Sequence, residues 1–387
     1  MTEKLFYEDG YLQEFTARVL ACSTEGDHFV VVLDKTAFFP EGGGQYGDTG
    51  WLDDVHVMDV QEKEDVIYHI TDKMLEIDRE VTGRLDWEER FMKMQQHTGE
   101  HIVSGIVHGR FGYNNVGFHL GSEDCTMDFD GEITRKQLKE IEWEANQAAV
   151  SNLEVLVSYP SKEILNTMQY RSKIEIAGQV RIVTIPGYDM CACCAPHVRR
   201  TGEIGLIKLT NVQHYKGGVR VTMLCGFRAL SDYSAKESRA RAISMSLCAK
   251  EGEIDEAVVH LKAERDRLKA EVLQQHRALL ETRISTLQEE VEGICLFEVG
   301  LDGEDMKYLM NLVLDRGKKR CAVISEDGSG GFRYVVGSKT GNMRPIAKWL
   351  NERFQGRGGG KSEMVQGACK SPVNQKELRT FIETCPE

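Results

Sequence analysis

The chain has 387 residues, 41% hydrophobic and 28% charged, with a net charge of −13. This is material for two or three domains with ordinary cores, which excludes wholesale disorder and fibrous repeats. No apolar run approaches the ~18 residues of a membrane-spanning helix. The opening MTEKLFYEDG has no apolar signal core, so a cytoplasmic protein with no membrane partner is expected.

Taken along the chain, residues 1–85 alternate apolar and polar positions between glycine and aspartate clusters, the pattern of a small β domain. Inside it lies Phe38-Phe-Pro-Glu-Gly-Gly-Gly-Gln-Tyr-Gly-Asp-Thr-Gly50. Such glycine density marks backbone that turns tightly or approaches something closely. Asp86 can cap a helix, with Glu89 as its capping-box partner, running to about Val107. Thr134 and Gln137 repeat the signal for a helix ending near Val150. Strand-like runs at 180–185, 205–209 and 219–225 complete an α+β domain over 86–228. Residues 229–292 carry no proline. Within them Ile254, Val258, Leu261, Leu268, Val272 and Leu279 follow a four–three spacing, interrupted by Arg265 and Gln275. That predicts a long helix or coiled-coil arm, packed on its own chain or pairing with a second copy. Residues 293–387 read as a smaller α/β unit, with strands at 321–325 and 332–337 and a helix at 342–354.

Charge is unevenly spread. Residues 293–387 hold 15 basic and 12 acidic residues, so the preceding chain carries −16. An acidic body argues against a generic nucleic-acid coat. A basic end with Arg316, Lys318, Lys319 and Arg320 in one run still allows local contact with a polyanion.

Eleven scattered cysteines without a secretion signal do not suggest a disulfide framework. Two clusters do suggest a metal. In His97-Thr-Gly-Glu-His101 the histidines are four apart on a helix and share a face. In Cys193-Cys-Ala-Pro-His197 a thiolate and an imidazole have the same spacing. Together they offer three nitrogens and one sulfur, a set that suits one zinc. Cys191 and Cys194 leave the choice of cysteine open. Zinc chemistry at neutral pH points to ester or amide hydrolysis, with Glu100 as a candidate base. The segment also fits the H-x-x-E-H pattern of inverted zinc peptidases, although the Cys-x-x-x-His partner and Gly99 weigh against that reading. Gly356-Arg-Gly-Gly-Gly-Lys-Ser362 fails as a phosphate loop, because Gln355 stands where the first glycine belongs.

These segments occur in a recognisable order. The glycine-rich 39–50 stretch, Gln96–His101 and Cys193–Val198 resemble the motifs of alanyl-tRNA editing domains. Gly356–Gly367 resembles the glycine motif of the C-terminal domain that follows a helical arm in alanyl-tRNA synthetases. The resemblance spans nearly the whole chain and is to freestanding alanyl-tRNA editing proteins. It implies an α+β multidomain fold with a β-barrel-like N-terminal domain, an editing domain of the threonyl/alanyl-tRNA synthetase type, an arm, and a DHHA1-like C-terminal domain for tRNA binding or dimerisation. It implies zinc on His97, His101, Cys193 and His197, and hydrolysis of Ser-tRNA(Ala), with Gly-tRNA(Ala) as a second substrate. Editing motifs beginning by residue 39 leave no room for an aminoacylation domain ahead of them.

The resemblance also departs in places, with Ala195-Pro196 in the second half-site, Tyr46 after the Gly-Gly-Gly-Gln, and His119 in the pocket segment. Pocket contacts are expected from Gly42, Gly43, Gly44, Gln45, His119 and Thr126. Phosphate contacts are expected from Arg316, Lys318, Lys319, Arg320, Arg357, Gly358, Gly359, Gly360 and Lys361. A pocket that hydrogen-bonds a serine hydroxyl can discriminate by roughly 10⁴–10⁵ against the substrate lacking it. The reading from a different class is a noncatalytic tRNA-binding module with structural zinc.

Overall fold

In the computed structural model, strand alternation closes the first part of the chain into a barrel. The described residues are 1–121, 124–172, 178–285, 292–326, 328 and 330–384. The barrel strands follow the spatial order Glu14–Glu25, His28–Leu33, Val66–Thr71, Val55–Lys63, Gly50–Leu52 and Glu80–Leu85. Their inward positions, among them Val19, Val31, Leu52, Val57, Val60 and Ile67, are all fully buried. Each such side chain contributes about 1.5–3 kcal/mol of burial.

Helix α1 (Trp87–Phe111) starts where expected. Asp86 accepts a hydrogen bond from the Glu89 N–H, and the helix ends at Gly112 in the left-handed conformation. The reciprocal half of the capping box is missing. The Asp86 N–H donates to the Thr49 carbonyl, and the Glu89 carboxylate accepts from the Tyr46 hydroxyl instead. Helix α2 (Arg135–Val150) carries the complete Thr134–Gln137 box. Both helices share one core with a four-stranded antiparallel sheet, ordered Ile207–Tyr215, Gly218–Cys225, Cys125–Phe129 and Asn115–Leu120. A three-stranded sheet of Leu156–Ser158, Ile182–Ile185 and Asp189–Ala192 leads directly into Cys193.

The chain divides into two compact units, Met1–Ala242 and Ile243–Glu387. The expected single arm is two helices, Gly226–Leu247 and Ile254–Ser285. The first is ended by Cys248 at a φ of 51°. Residues 286–291 of the expected arm lie outside the described residues.

The C-terminal sheet runs Gly293–Val299, Arg320–Glu326, Phe332–Ser338, Met364–Cys369, Gly356–Gly360, and only its first pair is parallel. The helix Gly303–Asp315 covers one face, while Arg344–Arg353 and Gln375–Thr384 cover the other. The glycine run Gly356–Gly360 is therefore an edge strand. A Cβ on Gly358 would lie 2.3 Å from the Tyr334 hydroxyl and 2.4 Å from the Gln366 carbonyl, so the glycines serve close ladder packing. Among the described residues no helix is long and apolar enough to cross a membrane.

Candidate metal centre

The centre is assembled by α1 and the loop after strand Asp189–Ala192. His97 and His101 lie on one face of α1, and both are 2% exposed. Cys193 Sγ approaches the Nε2 atoms of His97 and His197 at 3.4 Å each. The four ligand atoms of His97, His101, Cys193 and His197 all lie within 4.8 Å of one another. Of the cysteines that spacing left open, Cys193 is the one in this set.

Hydrogen bonds behind the imidazoles fix which nitrogen faces the cluster. Thr98 Oγ1 donates to the Met94 carbonyl at 2.8 Å and therefore accepts from His197 Nδ1 at 3.0 Å. His97 Nδ1 donates to Gln45 Oε1 at 3.1 Å, and His101 Nδ1 to Asp189 Oδ2 at 2.8 Å. Each histidine thus turns an Nε2 lone pair inward, the arrangement in which metal-bound imidazoles are held.

Burial alone would raise the Cys193 thiol, but the facing imidazoles of His97 and His197 hold it well below its ordinary range. Burial pushes Cys194 up to about 11, reinforced by the Cys193 thiolate, and raises Cys191 as well. One thiolate is available and its neighbours stay protonated. Burial drives His197 down to about 3, so it is a neutral donor. Burial alone would lower the His101 imidazole, but its hydrogen bonds to Asp189 and Cys193 hold it well above its ordinary range. Three imidazoles and one thiolate are a donor set that suits a tetrahedral zinc, with the His101 proton released as metal binds.

The glycine-rich loop is fastened to α1 by buried charges. Arg90 pairs with Asp48, its Nε at 2.8 Å, while Lys93 Nζ donates to the Gly47 carbonyl at 2.6 Å and sits 3.9 Å above the Tyr46 ring. Gly44 sits at a φ of 82°, and its carbonyl oxygen accepts from the Leu120 N–H at 2.7 Å. A Cβ there would fall 2.2 Å from the Phe118 carbonyl. Gly43 borders the cluster, its Cβ position being 3.5 Å from Cys194 Sγ and 3.7 Å from the His97 ring. Gln45 is 1% exposed, and its Nε2 has no hydrogen-bond partner among the described residues. Gly42 closes the loop through reciprocal backbone bonds with Gln45.

Glu100 is not an ordinary surface carboxylate. It is buried, accepts from Ser104 Oγ at 2.7 Å and from Asn115 Nδ2, and turns Oε2 to 3.8 Å from His101 Nε2. His119 and Thr126 are cross-strand partners. Strand alternation puts them on the face opposite Phe118 and Met127, and it is the Phe118 ring that lies 4.9 Å from His97. The structure does not bring them to the cluster.

Of the basic residues, Arg320 is 7% exposed and donates to the Ile382 carbonyl at 3.0 Å. It is a core strand residue and not part of a phosphate-contacting surface. Arg316 and Lys319 are exposed and Lys318 is half-buried, with Lys319 paired to Glu292 at 2.6 Å. Arg357, Gly358, Gly359, Gly360 and Lys361 lie along the exposed edge strand and just beyond it. Arg344 and Asn351 donate to the carbonyls of Gly360 and Gly358. Asp189 and Arg171 were not foreseen. They lie 88 and 70 positions from His101 in sequence, and no spacing pattern points to them.

Comparison with known proteins agrees with this geometry. Residues 180–222 match the threonyl and alanyl tRNA synthetase second additional domain, and residues 9–89 match the class II (A) tRNA synthetases. The alanyl-tRNA editing protein AlaX-L of Pyrococcus horikoshii is 28% identical, over 99% of this chain and 100% of its own. The alanyl-tRNA editing protein Aarsd1 of Rattus norvegicus is 27% identical, over 98% and 97%. An alanine–tRNA ligase of Ignicoccus hospitalis is 28% identical, over 97% of this chain but only 42% of the ligase. The chain is therefore a full-length relative of the freestanding alanyl-tRNA editing proteins.

Proposed function

We propose that the chain is an aminoacyl-tRNA deacylase that acts in trans in the cytoplasm. Its substrates would be tRNA(Ala) mischarged with serine and, secondarily, glycine, hydrolysed without ATP. The observation that carries this reading is the buried His97–His101–Cys193–His197 cluster in a chain collinear with freestanding editing proteins. One zinc per chain would be held by those four residues and would supply Lewis-acid polarisation of the ester carbonyl.

The chain's own groups have distinct tasks. Ser104 and Asn115 hold the buried Glu100 carboxylate beside His101, where Glu100 would take the proton from water. Gln45 presents an unpartnered amide N–H beside His97, suited to a hydroxyl or carbonyl of the aminoacyl group. Gly42, Gly43 and Gly44 let the loop approach without side chains. Arg316, Lys318, Arg357, Lys361 and the edge strand with Gly358, Gly359 and Gly360 would contact tRNA phosphates. A homodimer would form through the helix Ile254–Ser285. Its Leu261, Leu268, Val272 and Leu279 are exposed, whereas Leu280 and Ile284 pack into the C-terminal core.

The closed four-ligand set favours one other reading, structural zinc in a noncatalytic tRNA-binding module. Purified protein incubated with Ser-, Gly- and Ala-tRNA(Ala) separates them. Release of serine well ahead of alanine supports the deacylase, and binding without release supports the module.

A further inference from the structure

The three imidazoles are backed by three different acceptors, and only one of them is charged. His97 leans on an amide oxygen and His197 on a hydroxyl that already donates elsewhere. His101 alone donates to a carboxylate, at the shortest of the three distances. That carboxylate, Asp189, is 8% exposed. Arg171 holds it from the far side, with Nε 2.7 Å from Oδ1 and Nη2 2.9 Å from Oδ2.

Arg171 is itself fixed by backbone. Its N–H donates to the Met190 carbonyl at 2.8 Å, and its own carbonyl accepts from the Ala192 N–H at 2.9 Å. One strand, Asp189–Ala192, thus carries both the acceptor behind His101 and, next in sequence, the Cys193 ligand. The clamp ties one α1 ligand to the strand that leads into the loop supplying Cys193 and His197.

We infer that Asp189, braced by Arg171, is the positioning residue that makes His101 the anchoring ligand of the metal. The inference rests on the metal reading above. A carboxylate behind a ligating imidazole orients the ring and strengthens it as a donor, and removing such a partner costs 10–100-fold in metal affinity. Arg171 bonds both oxygens of that carboxylate and so fixes the orientation it presents to the His101 ring.

The test uses the full chain and zinc, with affinity read by competition against a chromophoric chelator. Asp189→Asn keeps the shape and should weaken zinc binding 10–100-fold, whereas wild type binds tightly. Wild type that binds no zinc would remove the metal reading itself. Wild type that binds, with Asp189→Asn matching it, would overturn only the clamp. The double variant Asp189→Asn/Arg171→Met separates charge from scaffolding. The inference expects the double variant to stay weak, and recovery of affinity would mean that Asp189 serves only to hold Arg171. Should Asp189→Asn fail to fold by circular dichroism, zinc-loaded wild type labelled at histidine still decides. The His101 Nδ1–H should be the most downfield and slowest-exchanging of the three ring protons. A His97 or His197 proton in that place would contradict the inference.

Discussion

The two compact units handle polar groups in opposite ways. In the first unit, charges and imidazoles are withdrawn from water and partnered: Arg90 and Lys93 with Asp48, His101 with Asp189, His197 with Thr98. In the second, Arg316, Lys319, Arg357 and Lys361 are exposed, and Arg357 and Lys361 lie along or just beyond an exposed glycine strand. Burial makes geometry exacting and raises the cost of losing a partner. Exposure makes each charge weak and replaceable. The proposed chemistry uses the first arrangement and the proposed phosphate contacts use the second.

The contrast breaks most completely at the ligands. Cys193→Ala should reduce bound zinc to background by elemental analysis and abolish deacylation. A variant that keeps zinc would move the thiolate role to Cys191 or Cys194. The next largest effect is on stability. Arg90→Met leaves Asp48 with Lys93 as its one paired cation and should cost about 1–3 kcal/mol in denaturant unfolding, and a loss under 1 kcal/mol would mean that the loop is held otherwise. Gly44→Ala, forced against the Phe118 carbonyl, should lower activity at least tenfold while zinc content is unchanged. Full activity would make the glycine loop a mere connection. In the second unit, Arg316, Lys318, Arg357 and Lys361 replaced by glutamine should each reduce the log–log salt slope of tRNA binding by about one, with zinc retained. The smallest effect sharpens the boundary. Arg320→Gln should lower stability by about 1–3 kcal/mol through the stranded Ile382 carbonyl and leave tRNA affinity unchanged.

The ligand set was legible because it is written as two short spacings, His-x-x-x-His and Cys-x-x-x-His, and helix or turn geometry turns spacing into direction. Caps at Asp86 and Thr134 were legible for the same local reason. The groups behind the ligands were not. Asp189 and Arg171 meet His101 only through the tertiary fold, and nothing in their neighbourhood marks them. Gly356–Gly360 carries no local strand signal, yet pairing with Met364–Cys369 and the approach of Tyr334 make it a strand, a case of ladder context overriding propensity. Arg320 looked like one of four equivalent cations. Its place as the first residue of a buried strand distinguishes it, and strand alternation is lost where a strand is buried on both faces.

The most direct measurement of the central claim is the initial rate of deacylation of Ser-tRNA(Ala) and Ala-tRNA(Ala), at equal concentrations and without ATP. The zinc-loaded chain and the chain treated with chelator would be compared. The account predicts rapid release of serine, release of alanine slower by at least a hundredfold, and loss of serine release with the metal. Equal rates on the two substrates, or serine release that survives full removal of zinc, would contradict it.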